Sequence, residues 1–265
     1  MCSRMMCGRG FWVRLCAVLV PLVLSASAAV AQVGGLNVAD KQLRVPDNED
    51  ILQRTIDSES PYWLPRLLGR YLNGDETLTD EEYHYLYYGY AYAEEYKPLD
   101  PIEAEAKLLG AMEKVMESPT EENVNQAVEY GLMVMERDPF SPKNLNMLAY
   151  LYGMLGEEDK ERSYFMRLNK VLDTIERSGT GVKESSPMHV LAFTHASDLM
   201  YARGCEIKRR EVVSRTTEFI FLPVKDAAGN LGYYFDFSRV YWTKPTVEEQ
   251  KNEKRGWTLN TIPLK

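Results

Sequence analysis

The residues that could carry out a reaction lie close together in the last third of the chain: His189, His195, Asp198 and Cys205. A cysteine with a histidine is the pattern of an activated thiol nucleophile, and the same residue types also bind metal ions. The spacing argues against both, because a strand residue and a helix-start residue six positions apart do not converge by local geometry. HExxH, paired CxxC and GxSxG motifs are missing from the sequence, so we predict no catalytic residue, no metal site and no cofactor.

Structural roles explain these four residues as well as catalytic or metal-binding roles do. Asp198 three residues after His195 fits helix capping as well as it fits a base with its orienting carboxylate. Cys205 is expected to be a small buried thiol. A hydrolase with an unrecognised site therefore ranks third among the functions considered.

The N-terminus has the pattern of a secretory signal peptide. Three arginines precede an apolar run and a series of small residues: Arg4, Arg9, Arg14, residues 15–24 and residues 25–31. The apolar run has roughly ten residues against the ~20 of a membrane helix, which argues against an uncleaved anchor. We predict cleavage after Ala31, which places the exported chain in the periplasm or outside the cell.

Removing the signal changes the composition of the chain. Only Cys205 remains of the four cysteines, so an intramolecular disulfide is excluded and an intermolecular one stays open. The signal also contains three arginines, so the number of basic residues falls from 31 to 28. With 39 acidic residues, the mature chain has a net charge of −11. Such an acidic chain is a poor candidate for binding nucleic acid. A second apolar stretch long enough to span a membrane is lacking, so the mature chain should be soluble.

The elements that position these residues begin with helices. Residues 47–57 have early acids and apolar positions at helical spacing, and a second helix, capped by Ser60 with Pro61 in its first turn, should end at Asn73-Gly74. Residues 102–116 are helical by composition, and Pro119 closes them. Residues 32–45 are expected to be a mobile leader.

Seven of the 17 tyrosines lie in the stretch from residue 83 to residue 96. Thr79 with Glu82 forms a capping box, which predicts a helix from Asp80 to about Glu95. One face carries Tyr83, Leu86, Tyr87, Tyr90 and Ala93; the nearly opposite face carries Tyr85, Tyr88, Tyr92 and Tyr96; His84, Ala91 and Glu95 form a narrow third strip. Two aromatic faces favour a helix packed between neighbours, and we expect it to be the hub between the N-terminal helices and a repeat-like pair of helices that follows. If one face binds a ligand, it is the one with Tyr85, Tyr88, Tyr92 and Tyr96.

The middle of the chain carries a repeat signal. Ala127, Gly131, Val134 and Pro139 match the second helix of a tetratricopeptide unit, and Leu145, Leu148, Ala149 and Tyr152 match the first helix of the next unit. Only about one and a half units are visible, and a last helix runs from about Glu157 to Ile175. We therefore predict a tetratricopeptide-like helical layer over residues 46–177.

The pattern changes after the break at residues 178–187. Residues 188–194 predict a buried strand, residues 195–202 a short helix, and residues 217–224 and 231–238 a β-hairpin. The residues Phe219, Phe221, Tyr233, Phe235 and Phe237 alternate with other residues, which predicts one aromatic face packed on the helices.

The basic run Lys208-Arg209-Arg210 with Arg215 is expected at a solvated strand edge. A charged tail spans residues 243–265. The fold class is thus α+β, a mainly helical tetratricopeptide-like layer with a smaller C-terminal portion, residues 188–242, that contains the hairpin.

Several motifs of the chain occur together: Leu78-Thr79 before Glu82-Tyr83, Leu86-Tyr87-Tyr88-Gly89-Tyr90, Tyr96-x-Pro98, the segment 189–204, and Tyr233-Tyr234-Phe235-Asp236 with Ser238-Arg239. With these motifs the chain resembles an exported bacterial family known as domain of unknown function 4919. The resemblance covers roughly residues 58–241. It implies that helices and hairpin form one unit, and it brings no activity and no catalytic residues.

Three functions follow in order. The first is a non-enzymatic accessory factor of the cell envelope that binds a peptide or protein partner in a helical groove. The alternative is a carbohydrate or small-ligand binder that uses exposed tyrosines. The hydrolase is the third.

Overall fold

The computed structural model describes residues 42–242, and within them helices make up most of the regular structure. The helices are α1 (Asn48–Ile56), α2 (Leu64–Leu72), α3 (Asp80–Gly89), α4 (Glu103–Glu117), α5 (Glu121–Arg137), α6 (Pro142–Met154), α7 (Glu158–Glu176) and α8 (Phe193–Ala202). The strands are β1 (Met188–His189), β2 (Arg209–Val212), β3 (Thr217–Phe221) and β4 (Gly232–Asp236). The predicted α+β, mainly helical fold class is confirmed. The predicted signal peptide, most of the leader and the charged tail lie outside the described residues.

The first two helices lie near their predicted positions. Asp47 caps α1 by accepting hydrogen bonds from the backbone N–H groups of Glu49 and Asp50. The predicted cap of the second helix is wrong: Ser60 accepts from Tyr62 N–H in a separate turn, and α2 begins only at Leu64. Pro65, and not the predicted Pro61, lies in the first helical turn, where proline is tolerated because its position needs no N–H partner.

Helix α3 begins where its capping box predicts. Thr79 Oγ1 accepts from Glu82 N–H at 3.1 Å, and Glu82 Oε2 accepts from Thr79 N–H at 2.8 Å. Its predicted end at Glu95 is wrong, because the helix gives way after Gly89 to a 3₁₀ turn, Tyr90–Tyr92, and the chain is extended at Ala93. A Cβ on Gly89 would come within 2.7 Å of Thr55, so glycine lets α1 approach α3 closely here.

The middle helices pack pairwise in chain order, α4 with α5 and α6 with α7, while α5 also packs against α6. Their contact is tight at Gly131, where a Cβ would lie 2.7 Å from Leu148 Cδ2. Residues of the repeat signal such as Ala127, Val134 and Leu145 are buried. The likeness of these pairs to tetratricopeptide units stays a prediction.

The sheet has the strand order β1-β4-β3-β2, with β1 parallel to β4 and the other pairs antiparallel. The hairpin is confirmed as β3 and β4, and the basic run lies at the exposed edge strand β2. The predicted strand over residues 188–194 is wrong in extent, since β1 has two residues and α8 begins at Phe193.

The prediction of one aromatic face on the hairpin is also wrong. Ile220 is paired with Tyr233 and Phe219 with Tyr234, so the aromatic residues of the two strands divide between both faces of the sheet. Tyr233, Phe235 and Phe237 are fully buried. Phe219 instead packs against Tyr234 on the outer face, with ring centroids 4.5 Å apart.

Buried apolar side chains form one continuous core from Ile51 in α1 to Val240 beyond β4. The sheet and the helices therefore share their interior. Within residues 42–242, none of the helices combines the length and the apolar character needed to cross a membrane.

Candidate functional site

Residues 83–91, in helix α3 and the turn that follows it, are all buried. Helix α3 packs against the N-terminal helices α1 and α2 and against α7. Its role as a hub to the repeat-like pair stays a prediction. In the third strip His84 and Ala91 are buried, at 6% and 0% exposed, whereas Glu95 beyond the turn is exposed. The tyrosine hydroxyls of this segment donate to groups on widely separated elements: Tyr85 to Asp50 Oδ2, Tyr88 to His189 O, Tyr90 to Arg137 O, Tyr92 to Asn48 O, and Tyr96 to Leu191 O. The tyrosines thus join the helical layer to the C-terminal portion.

The four tyrosines predicted to bind a ligand differ in accessibility. Tyr85, Tyr88 and Tyr96 are 3%, 3% and 8% exposed, whereas Tyr92 is half-buried. The Tyr92 ring lies 5.4 Å from the Trp242 ring, and the Arg239 guanidinium lies 5.1 Å from its centroid. Ligand binding by this face stays a prediction, and Tyr92 is the member whose ring reaches the surface.

The structure does not bring His189, His195, Asp198 and Cys205 together into one site. His189 lies 3.5 Å from Asp236, whose pKa burial would raise but hydrogen bonds from His189 and Ser238 lower to about 2. Burial raises the pKa of the Cys205 thiol to about 11, which leaves it protonated near neutral pH. In the described part of the chain, no group of three or more His, Cys, Asp or Glu side chains is placed to hold a metal ion.

Asp198 serves a different helix from its own. Its Oδ2 accepts from the backbone N–H of Lys143 in the first turn of α6, whose own cap, Ser141, accepts from Asn144 N–H. Burial raises the pKa of Asp198 to about 6, against the lowering effects of His195 and of the Lys143 N–H. This capping of α6 differs from the capping of its own helix considered for Asp198, because α8 follows Ala192 without a side-chain cap hydrogen bond.

His195 lies in a buried hydrogen-bonded chain that starts at the central helix. Its Nδ1 is 2.8 Å from Tyr87 Oη, and its Nε2 is 2.9 Å from Asp138 Oδ2. Tyr87 Oη also accepts from Leu191 N–H. In the neutral tautomer that satisfies every group, Tyr87 O–H donates to Nδ1 and Nε2–H donates to Asp138. Burial lowers the pKa of His195, but the carboxylates of Asp138 and Asp198 raise it by more, so it lies above its ordinary value.

A cavity of about 180 Å³ opens beside this histidine, and we call it the α8 cavity. It lies between the segment before α4, the α5–α6 turn and the first turn of α8. Its apolar walls include Tyr90, Tyr96, Phe140, Leu191 and Phe193, and its polar groups include Lys97, Arg137, Thr194 and His195. His195 is 1% exposed and both of its ring nitrogens are engaged, so it supports the wall of the cavity and has no free nitrogen to offer a substrate.

Comparison with known protein families agrees with this picture of one continuous unit. The family model described as Domain of unknown function (DUF4919) matches residues 49–244, from α1 to beyond the sheet. The chain belongs to the DUF4919 family. No curated protein and no solved structure matches it. Membership confirms the resemblance seen in the sequence, and it assigns no activity to the DUF4919 fold.

In this DUF4919 chain the sequence identifies His195 as a candidate residue, but it does not indicate either of the two side chains that form hydrogen bonds with it. Asp138 precedes it by 57 residues and Tyr87 by 108, so no local spacing relates them. The one available signal was Asp138 before Pro139 at the end of a helix, a position that also suits an ordinary cap. No local sequence pattern indicates the α8 cavity, because three separate segments of the chain form it.

Proposed function

We propose that this DUF4919 protein is a non-catalytic accessory factor of the cell envelope that binds a peptide or protein partner. The observation that carries the proposal is the size of the α8 cavity. At about 180 Å³ it is smaller than the roughly 300–1,000 Å³ of small-molecule sites. It has room for one anchoring side chain of a partner, and binding energy at interfaces concentrates on such anchors in desolvated pockets.

The chemistry around the cavity favours binding over catalysis. His195 makes hydrogen bonds through both ring nitrogens to protein groups, and Cys205 keeps its proton near neutral pH. The aromatic rings of Tyr96, Phe140 and Phe193 offer flat apolar surfaces that suit an apolar or aromatic anchor.

A filled-cavity variant tests the binding proposal. Thr194 is exposed at the cavity, so Thr194→Trp should occupy the space of the anchor without disturbing the core. Peptides selected from a random displayed library should bind the wild-type protein and lose at least tenfold in affinity for Thr194→Trp. Glu113→Trp, at an exposed position on α4, is the matched control and should bind as the wild type does. Selected peptides that bind Thr194→Trp unchanged would contradict the proposal.

Export is the second part of the proposal, supported by the signal-peptide pattern of residues 1–31. Expression of the full chain in a bacterial host, followed by fractionation and N-terminal sequencing, should give an envelope or medium protein that begins at Gln32. A chain lacking residues 2–31 should stay in the cytoplasm. Full-length protein in the cytoplasmic fraction would contradict export.

Glycan binding is the second candidate, favoured by the half-buried Tyr92 beside Trp242 and below Arg239. Aromatic faces next to a hydrogen-bond donor suit sugar rings. Binding on a glycan array should then be lost in Tyr92→Ala and kept in Tyr201→Ala, which removes an exposed tyrosine from α8. Equal glycan signals from both variants would remove this candidate.

A further inference from the structure

Arg167 of α7 is a buried cation without a counter-ion in the described part of the chain. The residue is 6% exposed, and among residues 42–242 no carboxylate forms an ion pair with it. Its Nη2 donates to Ser163 Oγ at 3.2 Å, while its Nε is buried and has no hydrogen-bond partner. Buried charged groups are normally paired, and an unsatisfied one needs an explanation.

Two aromatic rings flank the guanidinium and stabilise it in part. Its Cζ lies 4.4 Å from the Tyr164 ring centroid and 5.4 Å from that of Tyr71. These faces attract a cation, and the Tyr164 side chain also forms a hydrogen bond with Arg167, but neither tyrosine supplies a negative charge. The buried Glu176 on the same helix is paired by contrast, since it accepts from Arg203 Nε and Nη2 at 2.8 and 3.1 Å.

Arg167 also lines a groove of about 350 Å³ between α2, α5 and α7, which we call the Arg167 groove. Most of its lining is apolar, with Leu68 and Leu72 from α2 and Leu132 and Met135 from α5. Its volume falls within the range of small-molecule sites, in contrast to that of the α8 cavity. Two exposed acids, Glu95 and Glu136, also border the groove, whereas its one cation among the described residues, Arg167, is buried. A buried cation without an ion pair beside apolar walls is complementary to a molecule with an apolar chain and one negative charge.

We propose that the Arg167 groove binds a carboxylic acid with an apolar chain. The chain lies along the leucines of α2 and α5, and the carboxylate accepts hydrogen bonds from the Arg167 guanidinium, whose planar fork matches two carboxylate oxygens. The ligand thereby supplies the counter-ion that residues 42–242 do not provide. Among the described residues, this site shares only Tyr90 with the lining of the α8 cavity, and it does not depend on the proposed partner binding.

Calorimetric titration with decanoate, below the concentration at which it forms micelles, tests the proposal. Wild-type protein should bind decanoate at least tenfold more tightly than decanol, which has the same chain without the charge. Arg167→Met should remove that preference and leave the affinity for decanol within about threefold. Arg162→Met, at an exposed arginine of the same helix outside the groove, should bind as the wild type does.

A second pair of variants keeps the test decisive if Arg167→Met does not fold. Leu132 is 40% exposed at the groove, so Leu132→Trp should fill it and abolish decanoate binding; Met133→Trp, at the neighbouring position that does not line the groove, should not. Decanoate and decanol binding with equal affinity, or decanoate binding unchanged in Leu132→Trp, would overturn the proposal. So would the absence of decanoate binding to the wild-type protein.

Discussion

Tyr87 and His195 form a 2.8 Å hydrogen bond in the interior of the molecule, although 108 positions separate them in the chain. The bond joins the middle of α3 to the first turn of α8. Because His195 continues to Asp138 at the end of α5, one imidazole holds three helices in register beside the α8 cavity. The shape of the cavity therefore depends on the Tyr87 hydroxyl.

Tyr87→Phe removes that hydroxyl while keeping the buried ring. Leu191 N–H loses its acceptor and His195 Nδ1 loses its donor, and both groups remain buried. We expect the free energy of unfolding to fall by about 2–4 kcal/mol, measured by urea denaturation.

Tyr92→Phe is the matched control for this substitution. The Tyr92 hydroxyl also makes two contacts, to Asn48 O and to Arg239, but the side chain is half-buried and water can replace the lost partner. Its cost should stay below about 1 kcal/mol. Equal losses for the two variants would show that the buried chain through His195 adds no stability.

Local signals account for the parts of the fold that could be predicted. The capping box of Thr79 and Glu82 involves residues three apart, and it marks the start of α3 correctly. The Gly-Asn turn between two aromatic runs likewise marks the hairpin of β3 and β4. Errors arose where a local signal was ambiguous, as at Ser60, which can cap a helix or a turn equally well.

The site could not be predicted because it depends on tertiary contacts. Alternation in β3 and β4 shows that each strand has two faces, but strand register decides which aromatic residues share a face. Arg167 stands in a helix rich in charged residues, so its sequence environment suggests a solvated side chain. Its burial between Tyr71 and Tyr164, without an ion-paired carboxylate among the described residues, follows only from the tertiary structure.

The Cys205 thiol should be unreactive in the folded protein. Burial, with the charges of Asp226 and Glu176, raises its pKa to about 11, and the side chain is 3% exposed. In the chain that begins at Gln32, where Cys205 is the sole cysteine, labelling by a thiol reagent should be at least about a hundredfold slower than in concentrated urea. Rapid labelling, or a disulfide-linked dimer on a non-reducing gel, would contradict this prediction.

His84 should make the protein less stable in mild acid. Burial, reinforced by nearby Arg44, lowers its pKa to about 4 from an ordinary value of 6.5. Between these two values the unfolded chain binds the proton more readily than the folded protein, so stability is lost as pH falls from 6.5 towards 4. The loss due to His84 alone should reach on the order of 3 kcal/mol, measured by urea denaturation as a difference from a variant without the imidazole.

His84→Phe isolates this effect, because phenylalanine preserves the ring contacts with Tyr85 and Tyr88 but does not titrate. The difference in unfolding free energy between variant and wild type should grow in favour of the variant on acidification. A difference that stays constant from about pH 7 to pH 4 would mean that water reaches the imidazole.

Asp198 should act on stability in the opposite direction. Burial raises its pKa to about 6 from 3.8, so between these values the folded protein holds a proton that the unfolded chain has released. The contribution of Asp198 to stability should therefore decrease as pH rises from 4 to 6, by on the order of 1–3 kcal/mol.

Asp198→Asn does not titrate and keeps an oxygen that can accept from Lys143 N–H, so the stability of the wild type relative to this variant should fall over this range in urea denaturation. Asp159→Asn, at an acid whose side chain is 92% exposed, should follow the wild-type curve. If Asp198→Asn also follows the wild-type curve, then Asp198 is ionised throughout, and its charge is stabilised by His195 and the first turn of α6.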